Sequence, residues 1–443
     1  MAVYINLILD ILKGKNRIMK VLHINTYDRG GAANACLRLH EGLLNSGIDS
    51  KVLILKKTNN NFPEVYAYET EVISFSGRLQ RKIKRILKEL KLYRNGPKEK
   101  ERKKLLKLRS KGLEMISFPE SDIDITNNKY FHGADIIHLH WVVDFLDYKA
   151  FFKKCKKPIV WTFHDQNPFL GVEHYAEKYL GPEKNGFPMV RQFSEVELAI
   201  EKKYKQIKHN ILQNTPLNIV ALCNWMQTEI LGCNMFHFAK IFNVPNGVDS
   251  KQFRILNKTL CRELLELPLE KKILLFVSDN INHNRKGLNY LLKAIENINA
   301  SDVVVCGIGW DKTKTHNGKF IELGSIHDQR LMTAAYSAAD LFVIPSLMDN
   351  LPNTVIESLL CGTAVISFPI GGLPDMIKHK KNGYIADEIS VDALAKTINI
   401  FFEKGVEFTT DQIRYDAIER YDISVQVESM VDLYNDIYTT ALT

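Results

Sequence analysis

Short apolar runs alternate with segments of helical spacing along most of the chain. The first run, IMKVLHIN, has the length of a strand, and Ala35, Leu39 and Leu43 then recur with the spacing of one helix face. A second apolar run, SKVLILKK, follows at 50–57. A strand, a helix and a strand in this order predict a βαβ unit of a parallel sheet. Further elements of this first domain are predicted as strands at 134–141, 157–164 and 217–224 and as a long helix at 187–214.

A second series of the same kind begins after residue 250. The segment NVPNGVDSKQF, residues 243–253, contains Pro, Asn and Gly as turn formers and predicts a joint between two domains. The pattern therefore predicts an α/β protein of two Rossmann-like, doubly wound domains that face a central cleft. The strands of the second domain are predicted at 271–278, 301–309, 318–324, 339–346 and 362–369.

The pattern divides the chain into four predicted segments. They are an N-terminal extension (1–18), a first domain (19–242), a second domain (243–423) and a C-terminal helix (424–443) that is expected to cross back onto the first domain. The extension is interpreted either as an extra helix, or sequence ahead of a start at Met19, or as a membrane-surface anchor.

Positive charge is concentrated in one segment of the first domain. The chain of 443 residues has a formal net charge of +8, yet residues 77–112 hold sixteen Lys or Arg against three Glu. Ile83, Ile86, Leu87 and Leu90 recur at helical spacing between these cations, which predicts an amphipathic insert. The insert is either a surface for an anionic membrane or a solvated helical hairpin. No nucleic-acid reader motif accompanies the charge, so no nucleic-acid partner is predicted.

Cysteine usage and hydropathy favour a cytoplasmic protein. The seven cysteines are scattered and none forms a CxxC pair, which argues against a disulfide framework or a zinc site. The histidines have no ligand-like spacing with acids, so no metal site is predicted. No stretch approaches the roughly 20 apolar residues of a membrane span.

Glycines and cations follow several of the predicted strands. Gly30 and Gly31 precede and begin the first predicted helix. Glycine lets the backbone approach a ligand closely, and the N-terminus of a helix favours an anion there. Arg285 and Lys286 precede a helix of the second domain, and two adjacent cations suit a diphosphate. The segment CGIGW around Gly307 is interpreted as a Gly-x-Gly turn after a strand. Each of these features is also common in an ordinary tight turn or a solvated charge pair.

Two acids in PSLMDNLPNTVIESLLCGTAVISF stand out from their apolar surroundings. Asp349 falls in a loop after a strand, and Glu357 falls on a helix predicted over 353–361 that ends at Gly362. We expect Glu357 to lie near the helix start, where the dipole keeps it ionised. An ionised carboxylate accepts two hydroxyl hydrogen bonds, which is what a ribose diol offers. The alternative is an acid on a surface helix. His164 at the end of a strand is a further candidate.

This combination resembles a known family. The same stretch, with NRKG before it and IGGLPDMI and KNGYIAD after it, resembles the retaining glycosyltransferases of family 4, which have the GT-B fold. The resemblance runs from about residue 19 to the C-terminus and is more specific in the second half. The stretches DNLPN and TFHDQNPFLGVEHY are most similar to the branch that builds bacterial exopolysaccharide and capsule.

The resemblance implies roles for individual residues. Glu357 would bind the ribose of a nucleotide diphosphate sugar, Asp349 would contact the transferred sugar, and His164 would lie near that sugar. Asp349 stands where the family usually has glutamate. The implied donor site comprises Gly30, Gly31, Arg285, Lys286, Gly307, Asn350, Leu351, Pro352, Asn353, Thr354, Gly371 and Gly372, and the implied acceptor side comprises Asp165, Glu173 and His174.

The resemblance also implies a reaction. Fixed cations and helix N-termini would stabilise the leaving diphosphate, so the expected hexosyl transfer needs no metal and no cofactor beyond the donor substrate. Retention is expected by front-face attack, on a lipid-linked glycan acceptor, at the inner face of the cytoplasmic membrane. Two alternatives stay open: a nucleotide-sugar epimerase of the same fold, and a non-catalytic GT-B binding partner.

Overall fold

The structure, a computed structural model, describes residues 19–58, 62–68, 97–280, 283–298, 302–310, 320–403 and 408–442. The predicted extension 1–18 and the first part of the basic segment, 77–96, lie outside the described residues. No described helix combines the length and the apolar character that a membrane crossing requires.

The first domain contains a seven-stranded parallel sheet. Val21 and Leu22 are neighbours on its first strand but belong to two different apolar clusters, so the sheet is buried on both faces. The elements are β1 (Lys20–Tyr27), α1 (Gly31–Asn45), β2 (Asp49–Lys56), β3 (Val65–Ala67), α2 (Pro97–Leu108), a 3₁₀ turn (Ile125–Asn127), α3 (Lys129–Gly133), β4 (Ile136–Leu139), α4 (Tyr148–Lys154), β5 (Ile159–Phe163), β6 (Tyr179–Pro182), β7 (Pro188–Val190), α5 (Glu195–Leu212), β8 (Asn218–Ala221), α6 (Asn224–Gly232) and β9 (Lys240–Asn243). The strand order is β3-β2-β1-β4-β5-β8-β9, while β6 and β7 form a separate antiparallel hairpin.

The second domain contains a six-stranded parallel sheet. Its elements are α7 (Lys258–Leu264), β10 (Lys272–Asn280), a 3₁₀ turn (Asn284–Lys286), α8 (Leu288–Glu296), β11 (Val303–Trp310), β12 (Phe320–Glu322), α9 (Gln329–Ala338), β13 (Leu341–Ile344), α10 (Asn353–Leu360), β14 (Val365–Ser367), α11 (Leu373–Met376), β15 (Gly383–Ile385), α12 (Val391–Glu403), α13 (Thr410–Tyr421) and α14 (Ile423–Leu442). The strand order is β12-β11-β10-β13-β14-β15. The prediction of two doubly wound α/β domains is confirmed.

The helix predicted over 187–214 is shorter than expected. Helix α5 begins at Glu195, and residues 188–190 form β7 instead. The start is set by a capping box, in which the Ser194 hydroxyl accepts from the Glu197 amide and the Glu197 carboxylate accepts from the Ser194 amide. Apolar spacing alone does not detect such a start.

The last helix, α14, returns to the first domain. Met430, Leu433 and Tyr434 pack in the apolar cluster that contains Leu39 and other residues of α1 and β1. The two helices cross closely at a glycine of α1, because a Cβ added at Gly42 would run into Val427. The Tyr434 hydroxyl lies 2.6 Å from Nδ1 of His138 in β4.

Candidate active site

The carboxyl ends of strands from both sheets meet at a cleft between the domains. In the loop after β13, the side-chain amide of Asn350 donates to the carbonyl oxygens of Phe163 and His164 at 2.9 and 3.2 Å. The amide of Asn353, at the start of α10, donates to the carbonyl of Gly31 at 3.0 Å. The loops that follow β13, β5 and β1 therefore lie together, as expected for the ligand side of parallel sheets.

Asp349 is buried in the second domain among cations. Its Oδ2 atom accepts from Nζ of Lys286 at 2.8 Å and from the hydroxyl of Ser346 at 3.2 Å, and Nη1 of Arg285 lies 3.4 Å away. Burial by itself would raise the pKa of Asp349, but Lys286 and Arg285 outweigh it and hold that pKa below its usual value. Asp349 is therefore ionised at neutral pH.

The guanidinium of Arg285 is bound by other groups of the protein. It is paired with Glu114 of the first domain at 2.7 Å, donates to the Met348 carbonyl at 2.9 Å and lies over the Tyr175 ring at 4.4 Å. The side chain is 7% exposed, against 17% for Lys286. Lys286 is thus the more accessible cation of the pair, while Arg285 links the two domains behind Asp349.

Glu357 lies at the boundary between the domains, but not at the start of its helix. It is the fifth residue of α10, so the expected support from the helix dipole is wrong, because that effect is confined to the first turn. Its two oxygens instead accept from Nη2 of Arg38 at 2.7 Å and from the hydroxyl of Tyr336 at 3.0 Å. The carboxylate is therefore held by an arginine of the other domain.

Sequence reasoning missed Arg38. It lies on α1 two helical turns after Gly31, between the buried residues Leu37 and Leu39, and its guanidinium packs over the Phe253 ring at 5.4 Å. The Nη1 atom is buried and has no hydrogen-bond partner. An arginine among core positions of the helix that follows the glycine loop was the available signal.

The two glycine pairs have different environments. Gly30 has φ of 94° and precedes α1, and a Cβ built at Gly30 or Gly31 would have no neighbour within 4 Å. A Cβ at Gly371 or Gly372 would instead run into the carbonyl oxygens of Asp349 and Asn350. The first pair leaves open space beside the cleft, and the second pair supports the loop that carries Asp349.

Gly307 is not in a turn. It lies within β11, where it pairs with Phe276 on one side and Glu322 on the other. A Cβ there would collide with the ring of Phe320, so packing against β12 explains the glycine. The predicted Gly-x-Gly turn is wrong because the strand continues through Trp310.

Three histidines, one within β1 and two directly after β4 and β5, form a hydrogen-bonded chain behind the cleft. Nε2 of His164 lies 3.0 Å from Nδ1 of His140, and Nε2 of His140 lies 2.9 Å from Nδ1 of His23. Burial lowers the pKa of His164 to about 4 and that of His138, which stacks on His140, to about 3. These histidines are therefore neutral at pH 7.

The predicted acceptor-side residues lie in one loop and are bound to other protein groups. Asp165 accepts from Trp141 at 2.8 Å and is 2.5 Å from Nδ1 of His174. Glu173 is paired with Arg191 at 2.7 Å. These contacts hold the loop in shape, and a small recess beside it is lined in part by Asp165 and His164.

The other predicted donor residues cluster at the start of α10. Leu351 is buried, whereas Pro352, Asn353 and Thr354 are partly exposed beside Gly31. They are brought together with His164, Asp349 and Glu357, whereas Gly307 and Glu173 are held by neighbours of their own.

One group within the described residues has the spacing of metal ligands. Atoms of His23, Cys36 and His140 lie within 4.8 Å of one another. The facing nitrogens of His23 and His140 already satisfy each other by a hydrogen bond, so we interpret the group as the inner end of the histidine chain.

The second domain matches a known sequence family. Residues 271–404 match the family described as Glycosyl transferases group 1. The match runs from β10 through α12 and includes Lys286, Asp349 and Glu357.

Curated relatives cover part of the chain. The uncharacterized glycosyltransferase MJ1607 of Methanocaldococcus jannaschii is 25% identical over 235 residues, which are 49% of this chain and 59% of the relative. The UDP-Gal:alpha-D-GlcNAc-diphosphoundecaprenol alpha-1,3-galactosyltransferase of Escherichia coli is 24% identical over 213 residues, 45% of this chain and 54% of the relative. The chain therefore spans little more than half the length of these relatives.

Solved structures match nearly the whole chain. Sucrose-phosphate synthase from Thermosynechococcus elongatus has a TM-score of 0.65 at 17% identity, covering 95% of this chain and 100% of the other. Anabaena Alr3699/HepE in complex with UDP-glucose has a TM-score of 0.62 at 16% identity, covering 94% and 100%. The chain is related in sequence to group 1 glycosyltransferases and has the two-domain GT-B fold, which confirms the predicted fold.

Proposed function

We propose that the protein transfers a sugar from a nucleoside diphosphate sugar to a glycan acceptor, with retention of the anomeric configuration. The observation that carries the proposal is that the segment with Asp349 and Glu357 bonds across the domain boundary at the carboxyl ends of both sheets. Asn350 donates to the His164 carbonyl, Asn353 donates to the Gly31 carbonyl, and Glu357 accepts from Arg38. Anabaena Alr3699/HepE, a structural neighbour solved in complex with UDP and with UDP-glucose, supports this class of donor.

The donor would be held mainly by the second domain. Glu357 would accept the ribose hydroxyls once Arg38 releases it, and Lys286 would face the diphosphate. Positive charge fixed beside the leaving group stabilises the transition state more than the ground state, because the charge on the diphosphate grows as the glycosidic bond breaks. We propose that this transfer proceeds without a divalent metal.

The acceptor would be lipid-linked and would belong to a surface polysaccharide. On α2, the lysines at 100, 103, 104 and 107 are exposed, whereas Leu105 is buried against α5. An exposed basic face of this kind suits an anionic membrane, at about 1 kcal/mol per cation near the surface. The Escherichia coli relative, named for a diphosphoundecaprenol-linked substrate, supports the same class of acceptor.

The test begins with the native protein and a panel of nucleoside diphosphates and nucleotide sugars. A ligand that binds the folded state raises the melting temperature. The stabilising sugar nucleotide is then incubated with the protein alone and with lipid-linked glycans, with and without EDTA, and the products are analysed. We expect transfer with retention that survives EDTA, and epimerised donor in the absence of acceptor would favour an epimerase instead.

A matched pair of variants tests the site. Glu357→Ala should abolish donor hydrolysis and transfer, whereas Glu419→Ala, an exposed acid on α13, should leave both unchanged. Full activity in Glu357→Ala would contradict the site, and no binding of any nucleoside diphosphate to the native protein would favour a non-catalytic role.

A further inference from the structure

The histidine chain runs from the cleft into the interior of the first domain and has two unequal ends. At the cleft end, His164 uses Nε2 toward His140, which leaves Nδ1, and no described residue forms a hydrogen bond with that atom. At the inner end, His23 uses Nδ1 toward His140, and its Nε2 atom is buried without a partner. Both nitrogens of His140 are used inside the chain.

Each neutral imidazole has one N–H and one lone pair, so the chain has only two proton arrangements. In the first, every donor points toward the cleft: His23 donates to His140, His140 donates to His164, and Nδ1 of His164 carries the remaining proton. In the second, every donor points inward, and Nε2 of His23 carries a proton deep in the domain. Burial lowers the pKa of all three rings, which excludes an additional proton at neutral pH.

The surroundings of His23 favour the first arrangement. The second would leave a buried N–H of His23 with no acceptor, and orphaned buried donors are rarer in proteins than unfilled acceptors. The first leaves a lone pair on Nε2 instead. The thiol of Cys36 lies in the same cluster, within 4.8 Å, but Nε2 of His23 forms no hydrogen bond with any described group, so the preference rests on the cost of an orphaned N–H.

We propose that His140 and His23 are positioning residues that hold His164 as the Nδ1–H tautomer, with its N–H directed to the cleft. The consequence for the reaction rests on the proposed function. His164 then donates a hydrogen bond to an oxygen of the bound sugar and has no lone pair available to deprotonate the acceptor. The base for the acceptor hydroxyl must come from elsewhere, and the leaving phosphate is the group that gains basicity as the bond breaks.

The first test measures the tautomer directly. The full-length protein is labelled with ¹⁵N-histidine, and the two-bond ¹H–¹⁵N couplings distinguish Nδ1–H from Nε2–H. The His164 signal is assigned by its loss in His164→Asn. We expect the Nδ1–H form at pH 7, and the Nε2–H form or a mixture of both would overturn the proposal. This measurement needs neither donor nor acceptor, so its result is independent of the proposed function.

The second test changes the inner end of the chain. His23→Leu removes the donor to His140, whereas His23→Gln retains an N–H there, and His40→Gln alters a buried histidine that bonds Ser50 and the Pro63 carbonyl outside the chain. In His23→Leu we expect the His164 signal to lose its Nδ1–H character and kcat to fall at least about tenfold, as expected for a misplaced proton. His23→Gln should restore both.

The controls separate positioning from folding. His40→Gln should keep the wild-type tautomer and kcat. An unchanged His164 signal in folded His23→Leu would overturn the assignment of His23, and if this variant does not fold, the wild-type tautomer decides the proposal alone.

Discussion

The two faces of the cleft are built from opposite kinds of side chain. The face of the first domain contains neutral histidines that bond to one another, and burial lowers their pKa values. The face of the second domain contains charged pairs, with Lys286 against Asp349 and an arginine of the opposite domain against Glu357. Burial acts on both faces: it keeps the histidines neutral on the first, whereas on the second the carboxylates of Asp349 and Glu357 each have a cation beside them.

This difference suits the proposed reaction. A nucleoside diphosphate brings negative charge, and a cation already held by a carboxylate can face it without a large reorganisation. The sugar and the incoming hydroxyl are neutral, so the opposite face needs oriented hydrogen bonds rather than charge. The comparison predicts that substitutions of the charged residues in the second domain change how the donor diphosphate is bound and stabilised. Substitutions of the histidines should instead change which ring nitrogen carries the proton.

After the loss of activity expected for Glu357→Ala, the largest effect comes from removing the accessible cation. Lys286→Met should lower kcat/KM about 100- to 1,000-fold, because the growing charge on the diphosphate loses its fixed partner. Donor binding should weaken less than kcat falls, since the contact is strongest in the transition state. Steady-state kinetics and calorimetry with the donor measure the two separately.

An exposed pair in the same domain provides the control for Lys286→Met. Lys396 is paired with Asp387 at 2.9 Å on the surface, and Lys396→Met should leave kinetics and stability nearly unchanged. Equal losses in kcat/KM for both lysine variants would contradict a specific role for Lys286.

Substitutions in the two glycine pairs distinguish an effect on folding stability from an effect on donor binding. Gly371 has φ of 52° and faces the Asp349 carbonyl, so Gly371→Ala should lower the free energy of unfolding by about 2–4 kcal/mol. Gly31→Ala, where the added Cβ meets nothing within 4 Å, should leave stability unchanged and weaken donor binding if the diphosphate approaches that backbone. Thermal unfolding and calorimetry check both variants, and a destabilised Gly31→Ala would contradict the open space.

Sequence reasoning predicted what depends on local pattern. Apolar runs identified ten of the fifteen described strands but not the short β3, β6, β7, β9 and β15. The acids and cations that follow the predicted strands did assemble at one cleft, because parallel strands end at the same edge. The prediction of a Gly-x-Gly turn at Gly307 is wrong, because the sequence does not distinguish a glycine required by packing against the Phe320 ring from one required by a turn.

Contacts between distant segments could not be predicted in this way. Arg38 and Glu357 lie in different domains, and nothing local to either indicates the other. The histidine chain left a partial signal, because His23, His140 and His164 lie on or at the ends of β1, β4 and β5, which are neighbours in the sheet. Predicting the contacts among these histidines required the strand order and register, which apolar spacing does not supply.

Acid should destabilise the first domain before it affects the charged face. Unfolded histidine takes up a proton near pH 6.5, but the folded state keeps His164 neutral to about 4 and His138 to about 3. The unfolded state therefore binds more protons below pH 6.5, and stability falls as pH falls, by up to about 1.4 kcal/mol per pH unit for each such histidine. Urea unfolding at pH 7, 6 and 5 measures this slope.

A variant assigns the slope to the buried rings. His138→Gln should flatten the dependence between pH 6.5 and 5, whereas exposed His237→Gln should not. Asp349 contributes little to the slope between pH 6.5 and 5. Its pKa is lowered from an already acidic value, so the stability that it contributes is lost only at more acidic pH. A slope that is the same in both variants would contradict a role for His138 in acid sensitivity.

The smallest effect tests the contact that joins the two faces. Arg38 occupies an oxygen of Glu357 that the ribose would need, so Arg38→Gln should let the ribose bind without displacing a partner. Exchanging one hydrogen-bond partner for another nets about 1 kcal/mol, so the Kd of the nucleoside diphosphate selected by the thermal-shift panel should fall about 3- to 10-fold. Arg330→Gln, which removes an exposed pair with Asp328, should leave that Kd unchanged. Weaker binding in Arg38→Gln would instead mean that the unpartnered Nη1 of Arg38 contacts the donor itself, and the arginine would then belong to the charged face rather than compete with it.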